Sequence, residues 1–262
     1  MDRVPDDLTA FYIDRYVEAE RLSCVPHGRL EYERTKELLS RRLPPPPAVV
    51  VDVGGATGVH AAWLAQRGYR VELVDLLPAH VEQAATVPGV RAQVADARKL
   101  PFDNESADVV LLLGPLYHLL ERSDRMRALG EARRVAREDA LIAAAAISRH
   151  SPLMVYGTEG RLDATTEPLV RQALESGQHD KRLGFTDVHL HSPSELAGEL
   201  VEAGFRDIGV YGVEGPTWPT LDAHGIEHIE RYLPAALACA RLAEQDPALI
   251  SASAHLLALA SR

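Results

Sequence analysis

The chain has 262 residues with 28 Lys and Arg against 38 Asp and Glu, a net charge of -10, and no basic run longer than Arg41-Arg42. That balance argues against a nucleic-acid track, which needs clustered cations to meet phosphates. The length suits one α/β unit with a large core. No leader-like apolar run opens the sequence, and apolar windows such as Leu141 to Ile147 are too short to span a bilayer, so a cytoplasmic protein without membrane contact is expected. Cys24 and Cys239 form no C-x-x-C pair, and free buried thiols are expected.

Residues 8–22 and Leu30 to Leu43 carry apolar positions at helical spacing, and Pro44 to Pro47 ends the second segment. Val49-Val50-Val51-Asp52-Val53 then reads as a parallel strand buried on both faces, running into Gly54-Gly55-Ala56-Thr57-Gly58 and a helix from about Val59 to Gln66. The glycines remove Cβ atoms that would block a tight turn or a ligand. Arg70 to Asp75 forms a second strand, and Asp75 falls about twenty residues after the turn, where nucleotide-binding βαβ units place a ribose-binding acid. Asp75 could equally cap the helix that starts near Pro78. The second and third glycines of a G-x-G-x-x-G fingerprint would fall on Ala56 and Val59, which weakens a dehydrogenase reading, and there is no Walker lysine.

A third strand, Gly89 to Ala97, ends in Asp96-Ala97, and a fourth, Ala107 to Leu113, closes on Gly114-Pro115. With Asp52 to Gly58, Asp75, Asp96-Ala97 and the run from Leu100-Pro101-Phe102-Asp103 to Asp108-Val109-Val110, the chain resembles the class I methyltransferases that use S-adenosylmethionine. The resemblance implies an α/β Rossmann-like sheet of seven strands with the last one antiparallel, an N-terminal helical cover and helical lid insertions. It covers Ala48 to Ile147 by motif and Pro193 to Arg262 by pattern. Ala56 departs from it, standing where many members have a glycine; alanine is expected to close the loop with ordinary φ/ψ.

A single domain is expected over residues 1–262: a cover at 8–43, a cofactor-binding core at 48–147, a lid at 148–191, and the rest of the core at 192–262 with a helical insert at 214–245. The fifth strand is placed at Ala140 to Ile147, and the last two at Phe205 to Val213 and Ser251 to Ala260. The forty-residue stretch after the fifth strand is too long for a core connection.

What the resemblance implies for the site follows. Asp75 would fix the ribose, and Asp96 and Ala97 would recognise adenine. The loop residues Gly54, Gly55 and Gly58 would hold the methionine part with Asp52 organising them, and Leu76, Leu113 and Gly114 would complete the cofactor contacts. Tyr117 and His118, just past the fourth strand, are the catalytic candidates, because an imidazole can accept a proton near neutral pH; a helix-start histidine packed under Leu119 and Leu120 is the competing role. Tyr12, Tyr16, Arg21, Arg29, His150 and Tyr156 are the acceptor-binding candidates, and Arg149 and Arg161 could meet a carboxylate. His189 and His191 share a face if extended, yet no third ligand stands nearby, so no metal is expected and both are placed at the surface or in the substrate loop. His255 is expected to be a satisfied core residue.

The expected activity is methyl transfer from S-adenosylmethionine to N or O of a small-molecule or peptide-like acceptor, by a monomer or homodimer. The alternatives are a nicotinamide-dependent oxidoreductase, motivated by Gly54, Gly58 and Asp75 alone, and a non-catalytic protein that kept the fold.

Overall fold

A computed structural model describes residues 22–184 and 186–262. Tyr12, Tyr16 and Arg21 lie outside the described residues. The valine run forms β1 (Val49–Val53), and the turn after it enters α2 (Val59–Gln66), preceded in the chain by α1 (Pro26–Ser40). Then come β2 (Arg70–Asp75), α3 (Pro78–Ala84), β3 (Val90–Val94), β4 (Ala107–Leu112), the single turn α4 (Pro115–His118), α5 (Arg122–Val135) and β5 (Ala136–Ile147). The insertion holds α6 (Ser151–Thr158), α7 (Glu167–Ser176) and a short antiparallel pair, β6 (Gln178–His179) with β7 (Val188–His189). The chain closes with α8 (Pro193–Glu202), β8 (Arg206–Gly212), α9 (Trp218–His224), α10 (Ile229–Ala243) and β9 (His255–Ser261).

The seven main strands run in the order β3-β2-β1-β4-β5-β9-β8. Pairings from β3 to β5 are parallel, while β9 is antiparallel to both β5 and β8. A doubly wound dinucleotide fold would continue with a parallel sixth strand; the β8–β9 hairpin takes its place. The sheet is covered on both faces, as parallel strands require. One face packs on α5 and α8 through Leu129, Val135, Leu196 and Leu200, the other on α1, α2 and α3 through Leu38, Leu64 and Ala84. Ser192 begins α8 with a reciprocal capping box, its side chain accepting from the Glu195 N–H.

Two expected strand starts move. The fifth strand starts at Ala136 rather than Ala140, through an irregularity in its pairing with β4 and a left-handed Asp139 (φ 61°). The last strand begins at His255, because Ile250–Ala252 form a 3-10 turn instead. Cys24 is exposed and Cys239 half-buried, against the expectation of two buried thiols. No helix among the described residues is long and apolar enough to cross a membrane.

The additions converge over one end of the sheet. Leu30 of α1 packs with Trp218 and Leu221 of α9 and with Ile229 and Leu233 of α10, so the N-terminal segment and the late insert form one apolar cover. The insertion after β5 has its own small core around Tyr156, Val170 and Leu183, and reaches Tyr117 from behind through Val188 and Leu190.

Candidate active site

The carboxyl ends of the parallel strands open into one cleft, where ligands bind in open α/β sheets. At its centre, the turn after β1 is too tight for side chains. A Cβ on Gly55 would come within 2.6 Å of Leu73 Cδ1 and 2.7 Å of Asp52 Oδ2, and one on Gly54 would meet Pro115 Cδ at 3.0 Å. Gly54 is left-handed (φ 69°), and so, unexpectedly, is Ala56 (φ 48°). The expectation of ordinary φ/ψ at Ala56 fails because closing the turn requires the left-handed region, which costs a residue with a Cβ roughly 1–2 kcal/mol.

The strain is met by a specific bond. The Ala56 N–H donates to Asp75 Oδ2 at 3.0 Å, while Asp75 Oδ1 accepts from the Leu77 N–H at 2.9 Å and lies 3.3 Å from His80 Nδ1. Asp75 therefore spans the glycine turn and the start of α3 while still lining the cleft. Asp52, at the end of β1, is buried, and its Oδ2 has no hydrogen-bond partner among the described residues. Burial, and secondarily the neighbouring Asp75 charge, pushes its carboxyl up to about 7. Asp96 accepts from the Arg98 backbone N–H at 2.9 Å and from its guanidinium, which holds the carboxyl below its ordinary range, and it too lines the cleft beside Ala97.

Leu76, Leu113 and Gly114 line the same cleft. Gly58 does not: left-handed at φ 86°, it caps the start of α2, and a Cβ there would point toward Ala84 of α3 rather than the cleft. Tyr117 and His118 line the cleft with ring centroids 4.6 Å apart. Burial pushes the His118 imidazolium down to about 4, well below the near-neutral value expected of a histidine base. His118 is thus neutral at pH 7.

The acceptor candidates divide differently from expectation. Tyr156 is buried and donates from its hydroxyl to the Leu183 carbonyl at 2.6 Å, serving the core of the insertion. Neither it, His150, nor any other described residue of the insertion lines the cleft. Arg29 faces Glu230 at 3.9 Å, Arg149 pairs with Glu195, and Arg161 pairs with Glu159 at 2.7 Å, so none presents its charge to the cleft. His189 and His191 are buried rather than at the surface, bound to Glu195 and Glu199.

Side chains that sequence reasoning missed replace them. Glu31 and Thr35 reach down from α1, His60 and His80 stand on α2 and α3, and His255 opens β9. His255 is paired across the sheet with Ile147 at the end of β5, which puts it at the cleft rather than in the core. Its Nδ1 lies 2.6 Å from Glu214 Oε1 and its backbone N–H donates to Glu214 Oε2 at 2.9 Å. Only helical spacing on α1 hinted at any of this, and it could not say which face turned inward.

A model described as a methyltransferase domain matches residues 50–139, from β1 to the beginning of β5, the segment that carries the glycine turn and all three carboxylates. That segment is similar to methyltransferase domains, as the sequence motifs imply. Solved structures agree on the fold. The chain is similar to a Haloferax volcanii protein solved in complex with the Trm112 methyltransferase activator, with 17% identity over 99% of each chain and a TM-score of 0.63. It is similar to an S-adenosylmethionine-dependent methyltransferase of Mesorhizobium loti, with 20% identity over 89% of this chain and all of the other, TM-score 0.59. A third is a methyltransferase of Methanosarcina mazei, at 19% identity, 86% and 96% coverage and TM-score 0.57. No curated protein matches the chain.

The residues of the cleft fit S-adenosylmethionine, the cofactor that the resemblance implies. The turn leaves no room for a Cβ at Gly55, and a buried carboxylate oxygen of Asp52 waits for a donor or a cation beneath that turn. Acids stand at the ends of β2 and β3 with the apolar Leu76 and Ala97 beside them, the mixture a purine nucleoside requires.

Proposed function

We propose that this chain is an S-adenosylmethionine-dependent methyltransferase acting on N or O of a small-molecule acceptor, with Asp75 binding the ribose hydroxyls, Asp96 and Ala97 the adenine, and Gly54, Gly55 and Asp52 the methionine end. The observation that carries the reading is the placement of Asp75, Asp96 and the side-chain-free turn on one side of the cleft, with Tyr117 and His118 beside them on the other. The cofactor supplies an electrophilic methyl group on a sulfonium whose departure needs no proton. The protein's share is to align an unprotonated nucleophile and exclude water.

His118 suits that share as a hydrogen-bond acceptor. Neutral at pH 7, it can take a hydrogen bond from an amine or hydroxyl and turn the lone pair toward the methyl group, while Tyr117 packs against its ring. A group titrating near 4 is too weak a base to hold the proton for long, so positioning is its larger contribution.

Calorimetry with S-adenosylmethionine and S-adenosylhomocysteine tests the cofactor half: both bind, and binding of neither overturns the reading. Mass spectrometry over a panel of small amines, phenols and carboxylic acids tests the rest, through a product heavier by one methyl group. His118→Gln keeps cofactor affinity and loses turnover.

A further inference from the structure

The carboxylates at the ends of β1, β2 and β3 are held in different ways. Asp52 Oδ2 has no hydrogen-bond partner among the described residues, and Asp75 accepts from the backbone N–H groups of Ala56 and Leu77. Asp96 is gripped by a guanidinium. Arg98 Nε donates to Oδ1 at 3.0 Å, Nη2 donates to Oδ2 at 2.7 Å, and the Arg98 backbone N–H adds a bond to Oδ1 at 2.9 Å. A two-pronged fork of this kind fixes the plane of a carboxylate as well as its position. The Arg98 bond, as the largest influence, also holds the Asp96 carboxyl below its ordinary range, so at neutral pH it accepts hydrogen bonds and donates none.

Arg98 is itself anchored. Its Nη1 donates to Asp124 Oδ2 at 2.8 Å, and Asp124 stands in the first turn of α5, where its Oδ1 lies 3.3 Å from Arg127 Nη1. A chain of alternating charges thus ties the loop after β3 to a helix that packs on the sheet through Leu129 and Val135. Asp96 and Ala97 line the cleft, whereas Arg98 does not, so the guanidinium reaches Asp96 from outside the cleft. Two carboxylate oxygens offer about four lone-pair directions. Arg98 fills both on Oδ1 and one on Oδ2, which leaves one for a ligand.

We propose that Arg98 is a positioning residue for purine selectivity: supported by Asp124, it holds Asp96 in one orientation, in which the remaining lone pair takes the 6-amino N–H of adenine and turns away a 6-oxo purine. The discrimination depends on the fork rather than on the carboxylate alone. A 6-oxo purine presents a carbonyl where adenine has its amino group, and its nearest donor is the ring N1–H. A carboxylate free to swing could meet that N1–H and accept either base; one clamped on two prongs cannot follow. Asp75 needs no such clamp, because its backbone partners already fix it and ribose hydroxyls can both donate and accept. The proposal deepens the methyltransferase reading and rests on it for Asp96 as the adenine contact.

The test titrates the full chain by calorimetry with S-adenosylhomocysteine and with S-inosylhomocysteine, its 6-oxo analogue. The wild type favours the adenine compound by about tenfold or more, the size expected of one hydrogen bond to a charged group. Arg98→Ala loses most of that preference. A merely structural role for Arg98 would weaken both ligands alike and leave their ratio unchanged. Arg98→Lys keeps a cation without the fork, so its preference also falls, and it decides the matter if Arg98→Ala fails to fold. Wild-type preference retained in Arg98→Ala overturns the proposal and leaves the cofactor reading standing; so does full preference in Arg98→Lys, since charge alone would then suffice. Equal wild-type affinity for the two compounds overturns the proposal together with the adenine role of Asp96. Binding of neither compound overturns the cofactor reading, and the proposal with it.

Discussion

Asp75 Oδ2 accepts the backbone N–H of Ala56 at 3.0 Å, so the acid that closes β2 also holds the strained residue of the glycine turn. One side chain thereby shapes the loop and offers its remaining lone pairs to the cleft. Asp75→Ala removes both functions, and S-adenosylmethionine binding should weaken by roughly 2–5 kcal/mol, the cost of losing a desolvated charged hydrogen-bond partner. Calorimetry on the folded variant checks it; unchanged affinity refutes the assigned role.

Ala56 makes an opposite prediction. At φ 48° its Cβ is strained, and glycine adopts that region without penalty. Ala56→Gly should raise folded-state stability by up to about 1 kcal/mol, offset in part by the greater freedom glycine has in the unfolded chain. A denaturant melt measures it. A loss of more than about 1 kcal/mol would show that the methyl group packs in a way that outweighs the backbone strain.

Burial holds the Asp52 carboxyl up to about 7, so near neutral pH the cofactor-free protein carries it partly protonated. Its folded value lies above the ordinary 3.8, so its contribution to stability is complete below 3.8 and is lost as pH rises through 7. A ligand that brings an ammonium or N–H donor to the turn favours the carboxylate, and binding at pH 6 to 7 should release a proton. Calorimetric enthalpies in phosphate and imidazole buffers will then differ, and Asp52→Asn should abolish the difference. Identical enthalpies in the wild type would remove Asp52 from the binding site.

How far the sequence carried differs between the two halves of the cleft, for a physical reason. The proposed cofactor half is local: β1, its turn and α2 are contiguous, and Asp75 and Asp96 are marked by strand ends, so Val59–Gln66 and Arg70–Asp75 stand where periodicity placed them. The opposite half, the proposed acceptor side, is made by tertiary closure. Glu31 meets His255 only because β9 turns back antiparallel beside β5, and nothing in Ser251 to Ala260 announces that the strand begins at its histidine. Ala56 was misjudged for the same kind of reason, since its φ is set by a bond to a residue on the next strand. The arginines of the insertion were legible as charges, but their glutamate partners were not.

The buried network below Tyr117 and His118 gives the last prediction. Arg125 and Glu199 are almost wholly buried and pair at 2.8 Å, His191 Nε2 lies 3.3 Å from Glu199, and Arg125 also donates to the Leu119 and Leu120 carbonyls that follow His118. Burial works against the Glu199 charge, yet bonds from His191 and Arg125 bring its carboxyl down to about 2; Glu195 also falls to about 2, through His189 and Arg149. Burial lowers His191 and takes His118 to about 4. All four folded values lie below their unfolded ones, so the unfolded chain binds the extra protons and stability falls with acidification. The histidines act first, His118 as pH drops from 6.5 toward 4 and His191 below 6.5, and the glutamates follow from 4.5 toward 2. Melting temperature against pH should therefore decline in two stages. Glu199→Ala leaves the Arg125 guanidinium buried without its carboxylate and should cost about 3–5 kcal/mol at pH 7, the usual price of breaking a buried pair from one side. Arg125→Met combined with Glu199→Leu should recover most of that stability. It should not recover the orientation of His118, because the Leu119 and Leu120 carbonyls lose their donor, so turnover stays low in a protein that melts normally. A double variant with full turnover would show that the network supports the fold and not the site.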